Sequence, residues 1–254
     1  MTLGCGSESS AFVPRSSPTL MPSVTIFGII MPKPPLPEWE QLLAAAAHLQ
    51  RVLPDATLVG GTAAAIYAGH RISYDADHIL NNLRGQFDEV LGQLESVAGW
   101  QTARVQRPVL ILGSLDGIET GVRQLIRDTP LETQQVDVAG QTITLPTEAE
   151  MLRIKAVLIL RRNATRDYLD FAALADRIGE QRSMAALARF DELYPQPSGQ
   201  SALQQLAVQL SNPMPFDLEG TNLAEYRRLD PRWHNWINVR TVCAQCAQGT
   251  LRAM

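Results

Sequence analysis

The sequence predicts an α/β (α+β) protein in which a mixed-sheet core precedes a helical C-terminal half. Three observations support this prediction. Short apolar runs alternate with helix-period patterns up to residue 146, helical periodicity dominates from residue 147 onward, and prolines punctuate that second half. We therefore divide the chain into a disordered or loosely ordered leader (1–36), a core (37–146) and a helical region (147–254).

Composition narrows the possible classes of protein. The chain has 254 residues, of which 45% are apolar and 19% charged, as in ordinary globular proteins. No apolar run approaches the ~18 residues of a membrane span, which argues against a membrane partner. The net charge of -4 gives no overall basic surface, so an anionic partner has to be bound locally. Cys5, Cys243 and Cys246 are too few for a disulfide framework, which favours a cytoplasmic location.

The leader is rich in serine, proline and glycine, a composition typical of segments without a packed core. Its apolar stretch at 24–31 lacks the preceding basic cluster of a secretory signal. Met31 competes with Met1 as the translation start, because the first convincing folded element comes only after Pro37.

Each element of the core follows from a local pattern. Apolar residues at helical spacing predict a helix over 38–53, and the alanine-rich run 62–67 predicts another. A further helix is expected over 87–97. Apolar runs bounded by glycines predict strands over 56–59, 109–112 and 118–126, with turns at 60–61 and 113–117, and a hairpin over 136–145 around Ala139-Gly140.

The helical region begins with a capping-box pattern, in which Thr147 is followed three residues later by Glu150. The apolar spacing then continues to Leu160. Further helices are predicted over 164–178, 184–193, 201–210 and 236–248.

One stretch combines two features of a nucleotide site. Gly60 and Gly61 stand between a strand and a helix, where the backbone can approach a ligand and the helix N-terminus offers N–H groups to phosphate. Twelve residues separate Thr62 from Asp75, and Asp77 follows with one residue between the two aspartates. In an extended segment both carboxylates therefore project from one face, toward a hard cation. Taken separately, the glycines also fit a simple tight turn and the aspartates a solvated loop.

This combination resembles the nucleotidyltransferase superfamily. The segments Leu58–Ala65 (LVGGTAAA), Gly69–Asp77 (GHRISYDAD) and Arg166–Asp170 (RDYLD), together with Lys155, are similar to the AbiEii/AbiGii toxin family over about residues 40–180. The resemblance implies a toxin of the toxin–antitoxin or abortive-infection type that transfers a nucleoside monophosphate from a triphosphate such as ATP to RNA, tRNA in particular. It also implies a cognate antitoxin protein as partner.

Two other classes of function remain open at this point. The same core could modify a small molecule or a protein side chain instead of RNA, since the chain carries no overall positive charge. Without a complete set of acidic residues it would be a non-catalytic nucleotide-binding module. Labelled triphosphates offered with each class of acceptor distinguish these alternatives.

The resemblance also implies roles for individual residues. Gly60, Gly61 and Thr62 would bind the triphosphate, and Asp75 and Asp77 would ligate Mg²⁺, with two ions expected. A third carboxylate normally completes such a site. Glu119 is the preferred candidate because it begins a strand after a turn, Asp137 is the reserve and Asp116 a further candidate.

A second group of candidates lies farther along the chain. Lys155, Arg162 and Arg166 are spaced by seven and four residues, which aligns them as a cationic stripe if one helix is unbroken. Asp170 could then pair with Arg166. By pattern alone this is also an ordinary solvated face, but the resemblance implies that Lys155 contacts phosphate and that Asp170 completes the pocket. Arg162 and Arg166, farther along the predicted stripe, are expected to bind the acceptor. Finally, both Arg71 and Ser73 precede the aspartates and could contact the nucleotide phosphates or support the turn.

Overall fold

A computed structural model of the protein describes Met1 and residues 37–253, so the predicted leader lies outside the described residues apart from Met1. The main sheet has five strands in the order β1-β2-β5-β4-β3, and β6 and β7 form a separate hairpin. The strands are β1 (Thr57–Leu58), β2 (Asp75–Leu80), β3 (Trp100–Gln106), β4 (Leu110–Leu115), β5 (Ile118–Gln124), β6 (Thr133–Val138) and β7 (Gln141–Pro146). Because β2 and β5 are parallel while the other neighbours are antiparallel, the mixed sheet predicted from the sequence is confirmed.

Helices surround the sheet and fill the C-terminal half. They are α1 (Pro37–Val52), α2 (Gly60–Ala68), α3 (Phe87–Glu95), α4 (Glu148–Arg162), α5 (Thr165–Ile178), α6 (Glu180–Leu187), α7 (Phe190–Leu193), α8 (Ala202–Ser211) and α9 (Trp236–Ala253). No helix among the described residues is long and apolar enough to cross a membrane. The predicted α/β core followed by helices is therefore the observed fold class.

The junction between the two halves falls between β7 and α4. Thr147 caps α4 by accepting a hydrogen bond from the Glu150 N–H at 3.2 Å, as the capping-box pattern predicts. Every residue of α4 from position 150 to 157 is buried, and the large apolar core runs without a break from α1 and α2 into α4 and α5. Helix α4 is thus the central element against which both halves pack.

Three local predictions were wrong. Strand β3 was missed because six of its seven residues are exposed, which leaves no alternation to detect. Strand β4 continues through Gly113 to Leu115, and the turn is only Asp116-Gly117, both at positive φ. Gly113 is a strand residue at which a side chain would collide with the Gln101 carbonyl of β3. The helix predicted over 184–193 is two helices, α6 and α7.

Candidate functional site

A cleft of about 780 Å³ lies between one face of the main sheet and helices α2, α4 and α5. It is lined by residues from both halves of the chain. Its glycine, hydroxyl and charged lining residues include Gly60, Gly61, Arg71, Ser73, Asp75, Asp77, Glu119, Arg123, Lys155, Arg162, Arg166 and Arg227.

Strand β2 places the two predicted aspartates on the cleft face. Burial alternates along the strand, so Asp75 and Asp77 are partly exposed to the cleft while Ala76 and His78 are buried on the opposite face. In the parallel pairing with β5, Asp75 lies opposite Glu119. The three carboxylates therefore stand on the same side of the sheet.

Two hydroxyl groups fix the aspartate strand. The Ser73 hydroxyl donates to Asp75 Oδ1 at 2.6 Å, and the buried Thr62 hydroxyl donates to the Asp75 carbonyl at 2.5 Å. The Val59 N–H donates to the Asp77 carbonyl at 2.8 Å. Since the Thr62 side chain is already used in this way, only its backbone N–H is open to the triphosphate role predicted for it.

The glycine turn needs glycine at both positions. Gly60 has φ +76°, a conformation that other residues rarely adopt. A Cβ on Gly61 would lie 2.7 Å from Ser73 Oγ and collide with the Arg71 guanidinium. A Cβ built on Gly60 would lie 3.6 Å from that of Asp77, so the N-terminus of α2, with its unpaired N–H groups, begins directly beside the aspartate.

Asp77 carries a charge that its surroundings only partly compensate. Burial raises the pKa of Asp77, Arg123 opposes this shift and Asp75 adds to it. Arg123 Nη2 lies 3.5 Å from Asp77 Oδ1, and 46% of the Arg123 side chain is exposed. A cation bound between the two aspartates would relieve their mutual repulsion.

The donor set of the cleft fits Mg²⁺. Among the described residues no three histidine, cysteine, aspartate or glutamate side chains are gathered closely enough to hold a metal ion by themselves. Asp75 and Asp77 supply two carboxylates, and Mg²⁺ is commonly bound by one or two carboxylates together with substrate phosphates and water. The cleft therefore suits a metal ion that arrives with a phosphate ligand.

The candidates for the third carboxylate lie in three different places. Glu119 lines the cleft, exposed and in register with Asp75. Asp137 lies on the separate hairpin, where it accepts a hydrogen bond from the Thr142 hydroxyl at 2.6 Å. Asp116 occupies the β4–β5 turn and pairs with His48 at 2.8 Å. Of the three, Glu119 is the one positioned beside the aspartates.

Asp170 is the centre of a buried group of charges that we call the Asp170 cluster, formed with His70, Arg71 and Lys155. Its carboxylate accepts hydrogen bonds from Arg71 Nε at 2.7 Å and Nη2 at 2.9 Å, and Lys155 Nζ lies 2.7 Å away. His70 Nε2 lies 2.7 Å from Asp170 Oδ1. Burial alone would favour the neutral acid, but Arg71 and Lys155 hold the pKa of Asp170 well below its usual range.

The cluster corrects one prediction and qualifies two others. Asp170 pairs with Arg71 and not with Arg166, because helix α5 turns Asp170 into the core while Arg166 faces the cleft. Lys155 and Arg71 line the cleft but are already paired with Asp170. Asp170 itself lies behind the cleft wall, so its contribution is to position these cations.

The continuous cationic stripe predicted on one helix does not exist. Helix α4 ends at Arg162, Asn163 adopts a left-handed conformation at φ 47°, and α5 begins at Thr165. The break is held by Asp217, which accepts hydrogen bonds from both the N–H and the hydroxyl of Thr165. Arg162 donates two hydrogen bonds to Asp167, at 3.1 and 2.7 Å.

Two arginines of the cleft were missed at the level of sequence. Arg123 follows Glu119 by four residues on β5, so its cleft-facing position could have been found from the period of two. Arg227 comes from a loop more than fifty residues beyond the predicted site, and no local pattern marked it.

No family model matches this chain. It is 40% identical over 95 residues to the heme uptake protein MmpL11 of Mycobacterium tuberculosis, a segment covering 36% of this chain and 10% of that protein. It is also 33% identical over 133 residues to the mycolic acid-containing lipids exporter MmpL11 of Mycolicibacterium smegmatis, covering 49% and 13%. The chain thus spans about a tenth of the length of these curated relatives, and the activities in their names belong to the whole proteins.

Solved structures agree with the fold. A "putative nucleotidyltransferase" from H. pylori superposes with a TM-score of 0.51 at 14% identity, covering 85% of this chain and 96% of that one. JHP933 from Helicobacter pylori gives a TM-score of 0.50, also at 14% identity, with coverage of 84% and 91%. At this identity the likeness concerns the fold alone.

Proposed function

We propose that this protein transfers a nucleoside monophosphate from a nucleoside triphosphate to an acceptor hydroxyl. The observation that carries the proposal is the meeting, in one cleft, of the N-terminus of α2 at Gly60 and a strand presenting Asp75 and Asp77. The first can bind phosphate oxygens and the second a hard cation. A nucleoside triphosphate with its Mg²⁺ satisfies both halves of the cleft at once.

In the proposed reaction the acceptor oxygen forms a bond to the α-phosphorus, the bond from that phosphorus to the bridging oxygen breaks, and pyrophosphate leaves. Asp75 and Asp77 would hold Mg²⁺, two ions by our proposal, which would neutralise the negative charge that develops during the transfer. Glu119, exposed on the same face, is the third carboxylate of the site and the group that takes the hydroxyl proton.

We further propose RNA, tRNA in particular, as the acceptor. The supporting feature is a set of arginines at the cleft: Arg123, Arg162 and Arg166. Within residues 37–253, Arg166 has no carboxylate in salt-bridge range. In a chain of net charge -4, such a local concentration of cations suits a polyanion. The resemblance to the AbiEii/AbiGii family adds a toxin-like role held in check by a cognate antitoxin.

The test offers each α-labelled NTP, with Mg²⁺, to tRNA, to an aminoglycoside panel and to a protein mixture. We expect label on tRNA, no label without Mg²⁺, and none with Asp75→Asn. Because several arginines would release counterions, affinity for tRNA should fall roughly tenfold or more between 50 and 200 mM salt.

Each other outcome changes a defined part of the proposal. Label on a small molecule or a protein, with no dependence of acceptor affinity on salt, would remove RNA and the toxin role and leave the transferase. NTP binding without transfer to any of the three acceptor classes would make the chain a nucleotide-binding module.

A further inference from the structure

A loop of the C-terminal half, residues 226–230, is joined by its backbone to the segment that precedes the aspartates. The Ile72 N–H donates to the Arg227 carbonyl at 2.9 Å, and the Asp230 N–H donates to the His70 carbonyl at 2.7 Å. Because Arg71 and Ser73 of this same segment pack on Gly61, the loop is anchored beside the glycine turn.

Arg227 and its neighbour Arg228 are held in an unusual conformation. Their φ angles are 44° and 51°, a backbone conformation that is rare for two consecutive non-glycine residues. Such a conformation persists only where the surrounding structure enforces it. Here the enforced backbone delivers the Arg227 side chain to the cleft, whereas Arg228 is exposed to solvent.

The Arg227 guanidinium is supported by aromatic rings and not by an acid. Its Cζ lies 5.6 Å from the ring centre of Tyr74 and 5.9 Å from that of Tyr226. No carboxylate of the described residues comes within 4.0 Å of it, in contrast to Arg71 and Lys155, which are both paired with Asp170. Cation–π contacts with two rings position a guanidinium while leaving its N–H donors open to an anion.

We infer that Arg227 binds the terminal phosphates of the nucleoside triphosphate and selects triphosphates over monophosphates. The inference rests on the proposed function. Arg71 and Lys155 at the cleft share the single carboxylate of Asp170, which balances one of their two positive charges, so a triphosphate there requires a further cation. Arg227 is the unpaired cation whose backbone is bonded to the segment packed on that turn.

The experiment measures binding of inorganic tripolyphosphate, the four NTPs and the four NMPs by calorimetry, with Mg²⁺, to wild type, Arg227→Gln and Arg228→Gln. Arg228 is the matched control, since it shares the strained backbone but not the cleft. Loss of charge-assisted hydrogen bonds predicts about 10- to 100-fold weaker binding of tripolyphosphate and the preferred NTP to Arg227→Gln. NMP binding should change less than twofold in both variants, and Arg228→Gln should match wild type throughout.

The alternative results separate this inference from the proposed function. Equal loss of NTP and NMP affinity in Arg227→Gln, or equal loss in both variants, would mean that the loop acts structurally and would overturn the inference. Unchanged tripolyphosphate affinity in Arg227→Gln would also overturn the inference, while leaving the transferase intact. Wild-type protein that binds no NTP would remove the proposed function as well. If Arg227→Gln does not fold, Tyr74→Leu, at a half-exposed ring, serves instead and should also weaken tripolyphosphate more than NMP.

Discussion

The cleft aspartates and the Asp170 cluster show two ways in which one chain holds negative charge. Asp170 is fully buried yet has two cations and a histidine within hydrogen-bond distance. Asp75 and Asp77 are only partly buried, and the cation beside Asp77 is a half-exposed arginine at 3.5 Å. The carboxylate that is more deeply buried is thus the one whose negative charge is more fully compensated by nearby cations.

The pKa shifts of the two sites express this difference. Burial favours the neutral acid at both Asp77 and Asp170. At Asp170 two cations reverse that effect and lower the pKa, whereas at Asp77 the pKa stays raised. A carboxylate whose charge is not compensated by the protein gains from an external cation, which is the physical reason to place a metal at Asp77 and a structural role at Asp170.

The largest expected effect comes from Asp77→Asn. The change removes charge from the metal site with little change in volume, so transfer of labelled nucleotide should fall by about a thousandfold or more. The free energy of unfolding should stay within about 1 kcal/mol of wild type, because the lost carboxylate is poorly compensated. Transfer at a wild-type rate in this variant would remove the metal assignment.

Asp170→Asn should show the opposite pattern, with the main effect on stability. Removing this charge leaves Arg71 and Lys155 buried without their partner, which costs about 3–5 kcal/mol in urea unfolding. Asp176→Asn is the matched control on the same helix, since the Asp176–Arg232 pair is partly exposed and is worth less than about 1 kcal/mol. Equal losses in the two variants would contradict the comparison.

The fold was largely predictable because its signals are local. Alternating carboxylates placed Asp75 and Asp77 on one face, and the capping box located the start of α4. The exposed strand β3 carried no such signal, because strand pairing and not its own burial pattern holds it in the sheet.

The site was only partly predictable, because charge pairing depends on distant contacts. The partner expected for Asp170 was four residues away, but its actual partner Arg71 is ninety-nine residues away in the chain. Whether Lys155 and Arg71 are free or already paired with a carboxylate depends on how α4, α5 and the segment before β2 meet in the core. Arg227 illustrates the same limit, since a loop bonded to residues 70 and 72 brings it to the cleft.

His78 offers a third way of burying a titratable group, on the face of β2 opposite the aspartates. Burial lowers its pKa to about 4 from the ordinary value of 6.5. The unfolded chain therefore binds a proton between these values while the folded protein does not, so stability is lost as pH falls from about 6.5 to 4, by roughly 3 kcal/mol. His78→Leu should remove that part of the acid-side slope, measured by urea unfolding from pH 7 to 4.5.

The contribution of His70 cancels in this comparison. Burial also lowers the pKa of His70, but this residue is present in both wild type and His78→Leu. Parallel stability curves for wild type and variant over the whole range would show that His78 does not titrate as a buried neutral group.

The smallest expected effect separates the candidates for the third carboxylate. Glu119 is exposed in the cleft opposite Asp75, whereas the Asp137 carboxylate bonds Thr142 on the separate hairpin. Glu119→Gln should lower the transfer rate about 10- to 100-fold, because one carboxylate of the site is lost while two remain, and should raise the Mg²⁺ concentration needed for half-maximal rate. Asp137→Asn should change the rate less than about twofold. If Asp137→Asn produced the larger loss and the shifted Mg²⁺ dependence, the hairpin would have to close over the cleft during turnover, and the metal site would extend beyond the face shared by β2 and β5.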